Sequence, residues 1–392
     1  MNICLVTPIF PPEIGGPATY TYEIAQRWQH KHRINVVTLT PSPIPLNNVP
    51  VFHPRPDKVQ KINNRIVHLW YRMWFVYREL FRVLVSQVKN SNLIYIQVPD
   101  LLGLMAVLLA KVYNKTSILR FVNDLAWENA YTNNKTNLTP TEFVKNPRGE
   151  IKYWMILQWE RLIFRFSKTI IVPSKNRLRL LKEGHKVNRK KIVVIPNFVD
   201  FKKFRPLPKK EGFHIITISR LVRFKDLLQL IQGFIYLREK IPGITWSIIG
   251  DGPMKEIYAK EISKRRLGNN IFLLGRKSHD EVANLIGQFQ VYLHNSITEG
   301  FPHTILEAMA SKTLVIAKRS EGVDELIMDM ENGILYDGED VKELFSKILY
   351  ASRDNNVSEV VGKAYQFALS YSPERIIKRL ESVITGSVCT YS

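Results

Sequence analysis

Short apolar runs alternate with longer amphipathic stretches along most of the chain. In the first half, runs that predict buried strands are each followed by a stretch with the apolar spacing of a helix. These predicted strands cover residues 2–7, 33–40, 93–98, 117–122, 169–173 and 191–195. The second half repeats the alternation, with predicted strands at 214–218, 245–249, 271–274, 291–293 and 314–317. Because strands alternating with helices form parallel sheets covered on both faces, we expect an α/β protein.

The chain is long enough for two such units. Its 392 residues exceed the usual size of one domain. The polar, proline-containing segment 200–212 is the best linker candidate, which predicts one domain at 1–199 and another at 212–370. A last helix is predicted at about 372–386, with Pro373 in its first turn.

One stretch, His294–Ala310, carries the densest candidate chemistry. It leaves a predicted strand, crosses a turn that contains Pro302, and enters a helix. Glu299 lies in the turn, and Glu307 lies about 8 Å along the helix axis if the helix begins near Pro302. A ligand across the helix N-terminus could contact both acids, and its anionic part would meet unpaired N–H groups. The alternative is a turn acid and a surface glutamate on an ordinary helix.

Two other loops offer groups that suit a phosphate. Arg220 and Lys225 follow the strand 214–218, and two cations beside a helix start suit a diphosphate. Gly15 and Gly16 lie between the first strand and the first helix, where backbone N–H groups can approach a phosphate. The alternatives are two solvated surface cations and an ordinary tight turn.

Further candidates follow two other predicted strands. Asn123 and Asp124 end the strand 117–122, where they would face the ligand crevice of an open sheet, unless they only cap a turn. Gly250 opens a sharp turn after the strand 245–249. Residues 128–150 are rich in Asn, Thr and Lys, which predicts a flexible excursion that could act as an acceptor lid. The sequence ENGILY, starting at Glu331, predicts a hairpin.

Positive charge is concentrated in the first half. The chain has a net charge of +21, and residues 1–191 carry 29 Lys and Arg against 11 Asp and Glu, a net of +18 that leaves +3 for the rest. This asymmetry predicts a polyanion or an anionic membrane surface as a partner of the first domain. No nucleic-acid recognition motif is evident, so nucleic acid is not the expected partner.

The helix predicted at 65–89 adds to the case for a membrane. It is aromatic and apolar, with Arg65, Arg72, Arg78 and Arg82 interleaved. A basic amphipathic helix is typical of an anionic membrane interface. The alternative is a core helix whose arginines are merely solvated.

The cellular compartment is predicted from three features. Two cysteines, Cys4 and Cys389, form no disulfide framework, which favours a reducing compartment. The N-terminus lacks a basic n-region and predicts a strand rather than a signal peptide. The longest apolar run, 101–110, is too short to span a bilayer. We therefore expect a cytoplasmic protein, with a peripheral position on the inner face of the plasma membrane as a second expectation.

Five sequence pieces in order resemble one known family. They are Gly15-Gly16 after the first strand, KIVVIPNFVD at the domain junction, SRLVRFKD, GDGP, and EGFPHTILEAMA with its Glu-x7-Glu pair. With these pieces the chain resembles the family 4 retaining glycosyltransferases along nearly its whole length, and RFVNDLAWE resembles a subgroup. The resemblance implies the GT-B architecture, in which two Rossmann-like domains face each other across a cleft and the final helix crosses back to the first domain.

The resemblance also implies roles for individual residues. Arg220 and Lys225 resemble the pair that holds the donor diphosphate and steadies it as it leaves. Glu299 resembles the acid that contacts the transferred sugar, and Glu307 the carboxylate that binds the donor ribose. The further donor contacts that it implies are Gly16, Gly250, Gly300, Phe301 and Pro302. No Asp-x-Asp metal motif is evident, and a cation pair makes a metal unnecessary, so neither a metal nor a cofactor is expected.

The chain departs from the family pattern at three places. Asn123 stands where many members have histidine. Lys312 and Leu314 replace the usual Gly and Pro, and Glu321-Gly322 replaces a usual Gly-Gly. These changes bear on the shape of the loops near the donor.

The resemblance therefore predicts a metal-independent enzyme that moves a sugar from a nucleotide-diphosphate-sugar to an acceptor, with retention of configuration. The second domain would bind the donor and the first the acceptor, expected to be a glycan or a lipid-linked precursor of a polysaccharide. One alternative is an epimerase of the same fold, or a phosphorylase, for which no pyridoxal-phosphate lysine context is present. Others are a nucleotide-sugar-binding protein without transferase activity and a nucleic-acid binder.

Overall fold

The computed structural model describes residues 1–13, 15–54, 65–147, 150–338, 340–353 and 357–389, with the backbone alone at 65–75 and 388–389. Its strands form two parallel sheets that lie one after the other in the sequence. The α/β class predicted from the alternating pattern is confirmed. The predicted domain boundaries at 199 and 212 stay a prediction.

The first sheet contains seven strands in the order β3-β2-β1-β4-β5-β6-β7, and all neighbouring pairs are parallel. Its strands are β1 Asn2–Thr7, β2 Arg33–Thr38, β3 Val51–Phe52, β4 Leu93–Ile96, β5 Thr116–Arg120, β6 Thr169–Val172 and β7 Ile192–Val194. Its helices are α1 Gly16–Trp28, α2 Arg65–Lys89, α3 Leu101–Val112, α4 Leu125–Thr132, α5 Pro140–Lys145, α6 Ile151–Phe166 and α7 Lys175–Arg179. Helix α7 continues as a π-helical turn, Leu180–Gly184.

The second sheet contains six strands in the order β10-β9-β8-β11-β12-β13, again all parallel. Its strands are β8 His214–Ile218, β9 Thr245–Ile249, β10 Ile271–Gly275, β11 Val291–His294, β12 Leu314–Lys318 and β13 Ile334–Tyr336. The remaining helices are α8 Leu228–Lys240, α9 Lys255–Lys264, α10 His279–Ile286, α11 His303–Ala310, α12 Val341–Arg353, α13 Val357–Leu369 and α14 Pro373–Cys389.

Helices cover both faces of the first sheet. On one face α2, α3 and α6 bury their apolar stripes in one core, with Leu84 and Leu157 among its members. On the other face the core is shared by α1 and α14, where Leu380 and Ile384 pack with Ile3 of β1. The final helix therefore crosses back from the second unit to the first, as expected.

Both sheets reverse their strand order beside a central strand, and such switch points create ligand crevices at the carboxyl ends of the strands. The reversals lie between β1 and β4 and between β8 and β11. The two carboxyl edges face each other. A Cβ atom added to Gly300, after β11, would lie 2.5 Å from the carbonyl oxygen of Val122, after β5. We call the space between these edges the cleft.

Two predictions about local structure are wrong. The described part of 128–150 is not a flexible excursion, because α5 is held by a capping box of Thr139 and Glu142, and the indole of Trp127 donates to the Leu138 carbonyl at 2.8 Å. The hairpin predicted at ENGILY is absent from this described segment, because β13 pairs in parallel with β12. The polar composition of 128–150 misled the first prediction, and a turn signal in ENGILY misled the second.

The helix predicted at 65–89 is present with those bounds. The side chains of Arg65 and Arg72 lie outside the described residues, while Arg78 and Arg82 are exposed. Within the part of the chain that is described, no helix is both long and apolar enough to cross a bilayer.

Candidate active site

The turn between β11 and α11 forms the centre of the cleft. Helix α11 starts at His303 with Pro302 as its N-cap residue, as predicted, because proline has no N–H to leave unpaired and favours a helix start. Asn295 ties this turn to the loop after β8, since its amide donates to the carbonyls of Lys225 at 3.1 Å and Asp226 at 2.7 Å. The two loops are thus held together by hydrogen bonds from one side chain to two backbone carbonyls.

Lys225 and Glu299 are in direct contact as an ion pair across these two loops. Both side chains are mostly buried, and His294 Nε2 lies 3.4 Å from the same carboxylate oxygen of Glu299. Burial alone would raise the pKa of Glu299, but Lys225 and His294 outweigh it and hold that pKa well below its usual value. Burial lowers the pKa of His294. Glu299 is therefore a carboxylate at neutral pH.

Glu307 lies deeper along α11 and is paired with His279, the first residue of α10. The distance between His279 Nε2 and Glu307 Oε1 is 2.8 Å. Burial would raise the pKa of Glu307, but His279 lowers it overall, and Glu307 in turn raises the pKa of His279 against the opposing effect of burial. Glu23 of α1 approaches His279 Nδ1 at 3.9 Å, so this pair lies at the boundary with the first sheet.

Arg220 forms its ion pair with Glu128 of α4. Asn123 donates to the other carboxylate oxygen of Glu128 at 2.7 Å. Burial would lower the pKa of Arg220, but Glu128 raises it overall, so the guanidinium stays charged. The cation predicted to hold a diphosphate is thus bound to a carboxylate from the opposite side of the cleft.

Arg177, a residue that the sequence did not single out, also enters the cleft. It belongs to α7 and is fully buried, and it donates to the Val122 carbonyl at 2.9 Å and to the Thr298 hydroxyl at 3.3 Å. Glu321 approaches it at 4.0 Å. Arg177 therefore fixes the segment next to Glu299 from the first-sheet side.

A buried chain of hydrogen bonds connects the first unit to the turn between β11 and α11. The amide of Asn197, in the predicted junction motif, donates to the carbonyl of Phe301 at 2.7 Å. Arg120 donates to the side-chain oxygen of Asn197 and also to the Tyr20 hydroxyl at 2.7 Å. The Arg120 guanidinium carbon lies 3.6 Å from the centre of the Tyr20 ring. The first sheet thereby sets the position of the turn.

Two glycines occupy positions that other residues could not. A Cβ atom on Gly250, whose φ is 141°, would lie 1.8 Å from the carbonyl oxygen of Ser219. A Cβ atom on Gly322, whose φ is 83°, would lie 2.5 Å from the carbonyl oxygen of Glu299. Gly322 therefore allows its loop to pack against the turn that carries Glu299. The usual pair of glycines is replaced here by Glu321-Gly322, and the glycine that remains is the one in close contact.

The other residues singled out from the sequence lie in different surroundings. Gly16 begins α1, and an added Cβ atom there would meet nothing within 4 Å. Lys312 has a left-handed backbone, with φ 53°, which accounts for glycine being usual at this position. Asp124 is fully buried, caps α4 through the Trp127 N–H, and lies 2.8 Å from His185. Its assignment as a sugar or acceptor contact is corrected to the alternative role of a cap.

Residues missed from the sequence share one property. Glu128, Arg177, His279 and Asn197 each act on a partner far along the chain. Glu128 and Arg220, for example, are 92 positions apart. No periodicity or local motif reports such a contact. For Glu128, the resemblance of RFVNDLAWE to a subgroup was a signal that could have been followed.

The arrangement suits an anionic leaving group bound next to a polyhydroxyl ligand. Lys225 and Arg220 supply charge-assisted donors, and the first turn of α11 supplies unpaired N–H groups. Glu299 and Glu307 supply ionised acceptors for hydroxyl groups. Among the described residues, no three His, Cys, Asp or Glu side chains form a group that could hold a metal ion.

Comparison with known proteins gives two adjoining family matches. Residues 14–203 match the family described as Glycosyltransferase Family 4, and residues 198–366 match that described as Glycosyl transferases group 1. Among curated relatives, one subunit of the human (Homo sapiens) phosphatidylinositol N-acetylglucosaminyltransferase is 34% identical over 162 residues, which cover 40% of this chain and 33% of that protein. The match thus spans a third of that relative's length.

Solved structures share the fold over almost the whole chain. The Anabaena protein HepE, in complex with UDP-glucose, has a TM-score of 0.77 at 17% identity, covering 98% of this chain and all of that one. A sucrose-phosphate synthase from Thermosynechococcus elongatus has a TM-score of 0.79 at 15% identity, covering 99% of each chain. These likenesses establish the GT-B fold that the resemblance implied.

Proposed function

Because the chain belongs to the group 1, family 4 glycosyltransferases, we propose that it transfers a sugar from a nucleotide-diphosphate-sugar to an acceptor with retention of configuration. The contact between Lys225 and Glu299 carries this proposal. It joins a cation suited to a leaving diphosphate with an acid suited to a sugar hydroxyl, at the N-terminus of α11.

We assign the roles by charge and depth in the cleft. Arg220 and Lys225 hold the diphosphate and stabilise the negative charge that develops as the bond to the sugar breaks. Glu299 accepts hydrogen bonds from the transferred sugar. Glu307, further along α11, accepts hydrogen bonds from the ribose. Gly16, at the start of α1, faces the phosphates with its backbone N–H, while Gly250, Gly300, Phe301 and Pro302 shape the walls.

Three contacts within the cleft resemble those that a donor would make in this proposal. The carboxylates of Glu128 and Glu299 bind the two cations, Arg220 and Lys225, that would bind the phosphate oxygens of the donor. His279 donates a hydrogen bond to Glu307, as a ribose hydroxyl would. Donor binding in this proposal exchanges these internal contacts for contacts with the substrate. The free energy of binding is then reduced by the cost of breaking them.

The acceptor side of the proposal rests on charge. The first 191 residues carry the net charge of +18, and the name of the human relative includes phosphatidylinositol. We propose a lipid-linked or glycan acceptor bound by the first domain, a peripheral position on the inner face of the plasma membrane, and contact of α2 with its anionic lipids. The proposed reaction needs neither a metal nor a cofactor.

Turnover of nucleotide-sugars by the purified chain tests the proposal. UDP-, GDP- and ADP-sugars are incubated with EDTA present, and release of the nucleoside diphosphate is followed. NMR of the released or transferred sugar gives its anomeric configuration. The proposal predicts turnover of at least one donor with retention. Binding without turnover would favour the nucleotide-sugar-binding alternative, and inversion at the anomeric carbon would contradict the assigned mechanism.

A further inference from the structure

The outer surface of α2, α3 and α6 combines exposed apolar side chains with positive charge. The three helices lie side by side on one face of the first sheet. By sequence they contain nine Lys and Arg and two acids, Glu79 and Glu160. Glu160 is fully buried and Glu79 is half-buried. Seven of the nine Lys and Arg have described side chains, and all seven are exposed, so the described surface is cationic. The exposed acid beside it, Glu150 at the N-cap of α6, is paired with Lys135 at 2.8 Å.

Helix α6 presents the clearest apolar stripe on this surface. Ile151, Trp154 and Met155 are 76%, 52% and 42% exposed, and they lie within one turn of each other. Exposed Leu162 continues the stripe, and Lys152, Arg161 and Arg165 flank it. An exposed tryptophan among isoleucine, methionine and cations is suited to the boundary between headgroups and acyl chains, where an amphipathic ring has one apolar and one wet side.

The apolar end of α6 projects beside the cleft. Glu160 accepts the N–H of Leu125, the first residue of α4, at 2.9 Å. Because the loop between β5 and α4 lies at the carboxyl edge of the sheet, α6 meets that edge near Glu160. Ile151 lies nine residues earlier, roughly 14 Å further along the helix axis. The stripe therefore extends past the sheet edge on the side where the donor and acceptor would meet.

We propose that this α6 stripe docks the protein on an anionic membrane, with Ile151, Trp154 and Met155 inserted and Arg161 and Arg165 on the headgroups. The inference rests on the proposed lipid-linked acceptor, which it would place at the cleft entrance. Charge complementarity decides the partner: an interface between two copies of the chain would bring like cationic surfaces together, whereas acidic headgroups neutralise them. The surface is distinct from the part of α2 that the sequence alone pointed to.

Flotation with vesicles tests the proposal. The full chain is mixed with vesicles of phosphatidylcholine alone or with phosphatidylglycerol added. We expect binding only to the anionic vesicles, and weaker binding at high salt. The triple variant Ile151→Ser, Trp154→Ser, Met155→Ser and the double variant Arg161→Glu, Arg165→Glu should each lower the partition coefficient at least about tenfold.

Matched controls come from α9 in the other unit. Ile257 is 45% exposed there, and Lys260 and Lys264 are exposed. Ile257→Ser, and Lys260→Glu with Lys264→Glu, should keep vesicle binding within about twofold of the wild type, although the second control makes the same change in net charge. An equal loss of vesicle binding in the α6 and α9 variants would overturn the proposal. Failure of the wild-type protein to bind anionic vesicles would also overturn it.

Two further readouts separate this inference from the proposed enzyme function. Thermal shifts by nucleotide-sugars should be unchanged in the α6 variants, because the stripe does not line the donor site. Vesicle binding without any nucleotide-sugar binding would contradict the assigned donor site and would still support the membrane-docking proposal. Light scattering that shows a wild-type dimer broken by the α6 variants, with vesicle binding retained, would assign the stripe to self-association and overturn the proposal.

Discussion

Lys225 and Glu299 form a mostly buried ion pair between the loop after β8 and the turn after β11. A buried pair of this kind is costly to break by removal of one partner, because the other charge is left uncompensated. The pair therefore fixes the two side chains relative to each other across the two loops.

Replacement of the cation tests its role in the departure of the diphosphate. Lys225→Ala should lower kcat/KM by about 10²–10³ fold, the range found for loss of one preorganised group that stabilises developing charge. Lys277→Ala is the matched control, because Lys277 forms an ion pair with Glu281 at 3.0 Å on the surface. A Lys225→Ala enzyme that stays within about threefold of the wild type would contradict the assignment.

In the proposed mechanism, Glu128 competes with the donor for Arg220. Glu128→Gln removes the carboxylate that binds the guanidinium, so a nucleoside diphosphate should bind several-fold more tightly, as measured by calorimetry. Glu150→Gln is the control, because Glu150 pairs with Lys135 at 2.8 Å on the surface of the same unit. Weaker binding in Glu128→Gln would show that Glu128 helps to hold the donor rather than standing in for it.

Donor affinity should rise with pH through the titration of His279. Glu307 raises the pKa of His279 in the free protein, while Glu23 and Lys203 also face this histidine. A ribose that takes the carboxylate of Glu307 removes the stabilising partner, so the pKa of His279 falls and a proton is released on binding. Affinity then increases as pH rises from the lower pKa of His279 in the donor complex to its raised pKa in the free protein.

Calorimetry of nucleotide binding in buffers of different ionisation enthalpy measures this proton release. His279→Gln should flatten the pH dependence while keeping a hydrogen-bond donor beside Glu307. Proton uptake on binding, or an unchanged pH slope in His279→Gln, would exclude His279 as the group that titrates.

Asn197 links the buried Arg120 to the turn that carries the site. Asn197→Ala leaves the Phe301 carbonyl and one side of the Arg120 guanidinium without their partner, so the free energy of unfolding should fall by about 2–4 kcal/mol in urea titrations. KM for the donor should also rise, because the turn loses its support. Asn270→Ala is the control: Asn270 donates to the Ile244 carbonyl at 3.0 Å, away from the cleft. Equal effects of both variants on KM would mean that Asn197 acts on stability alone.

The parts of the site that lie within one continuous segment could be predicted from sequence. Glu299, the start of α11 near Pro302, and Glu307 all belong to one strand–turn–helix segment, whose pattern and turn residues are local. Most strands of both sheets could also be predicted, since parallel strands covered on both faces appear as continuous apolar runs. The two short edge strands were missed: β3 has only two residues, and β13 was predicted as a hairpin.

The parts that depend on contact between the two units could not be predicted in this way. Glu128 meets Arg220, and Arg177 meets Thr298, only after both sheets have formed and faced each other. Asp124 illustrates an ambiguity within a local segment. A polar residue after a strand can contact a ligand or cap a helix, and the burial of Asp124 against His185 shows that it is a cap. Composition also misled where Thr139 and Glu142 turned an Asn- and Thr-rich segment into a capped helix.

A thermal-shift screen against UDP-, GDP- and ADP-sugars tests the donor site most directly, because a ligand that binds the folded state raises its stability by about 2.7 kcal/mol at a hundredfold excess over Kd. At least one nucleotide-sugar should raise the Tm of the wild type. The shift should shrink in Arg220→Ala, Lys225→Ala and Glu307→Ala, and should persist in Lys277→Ala. A wild type that no nucleotide-sugar stabilises, or equal shifts in all four variants, would contradict the assignment of this cleft as the donor site.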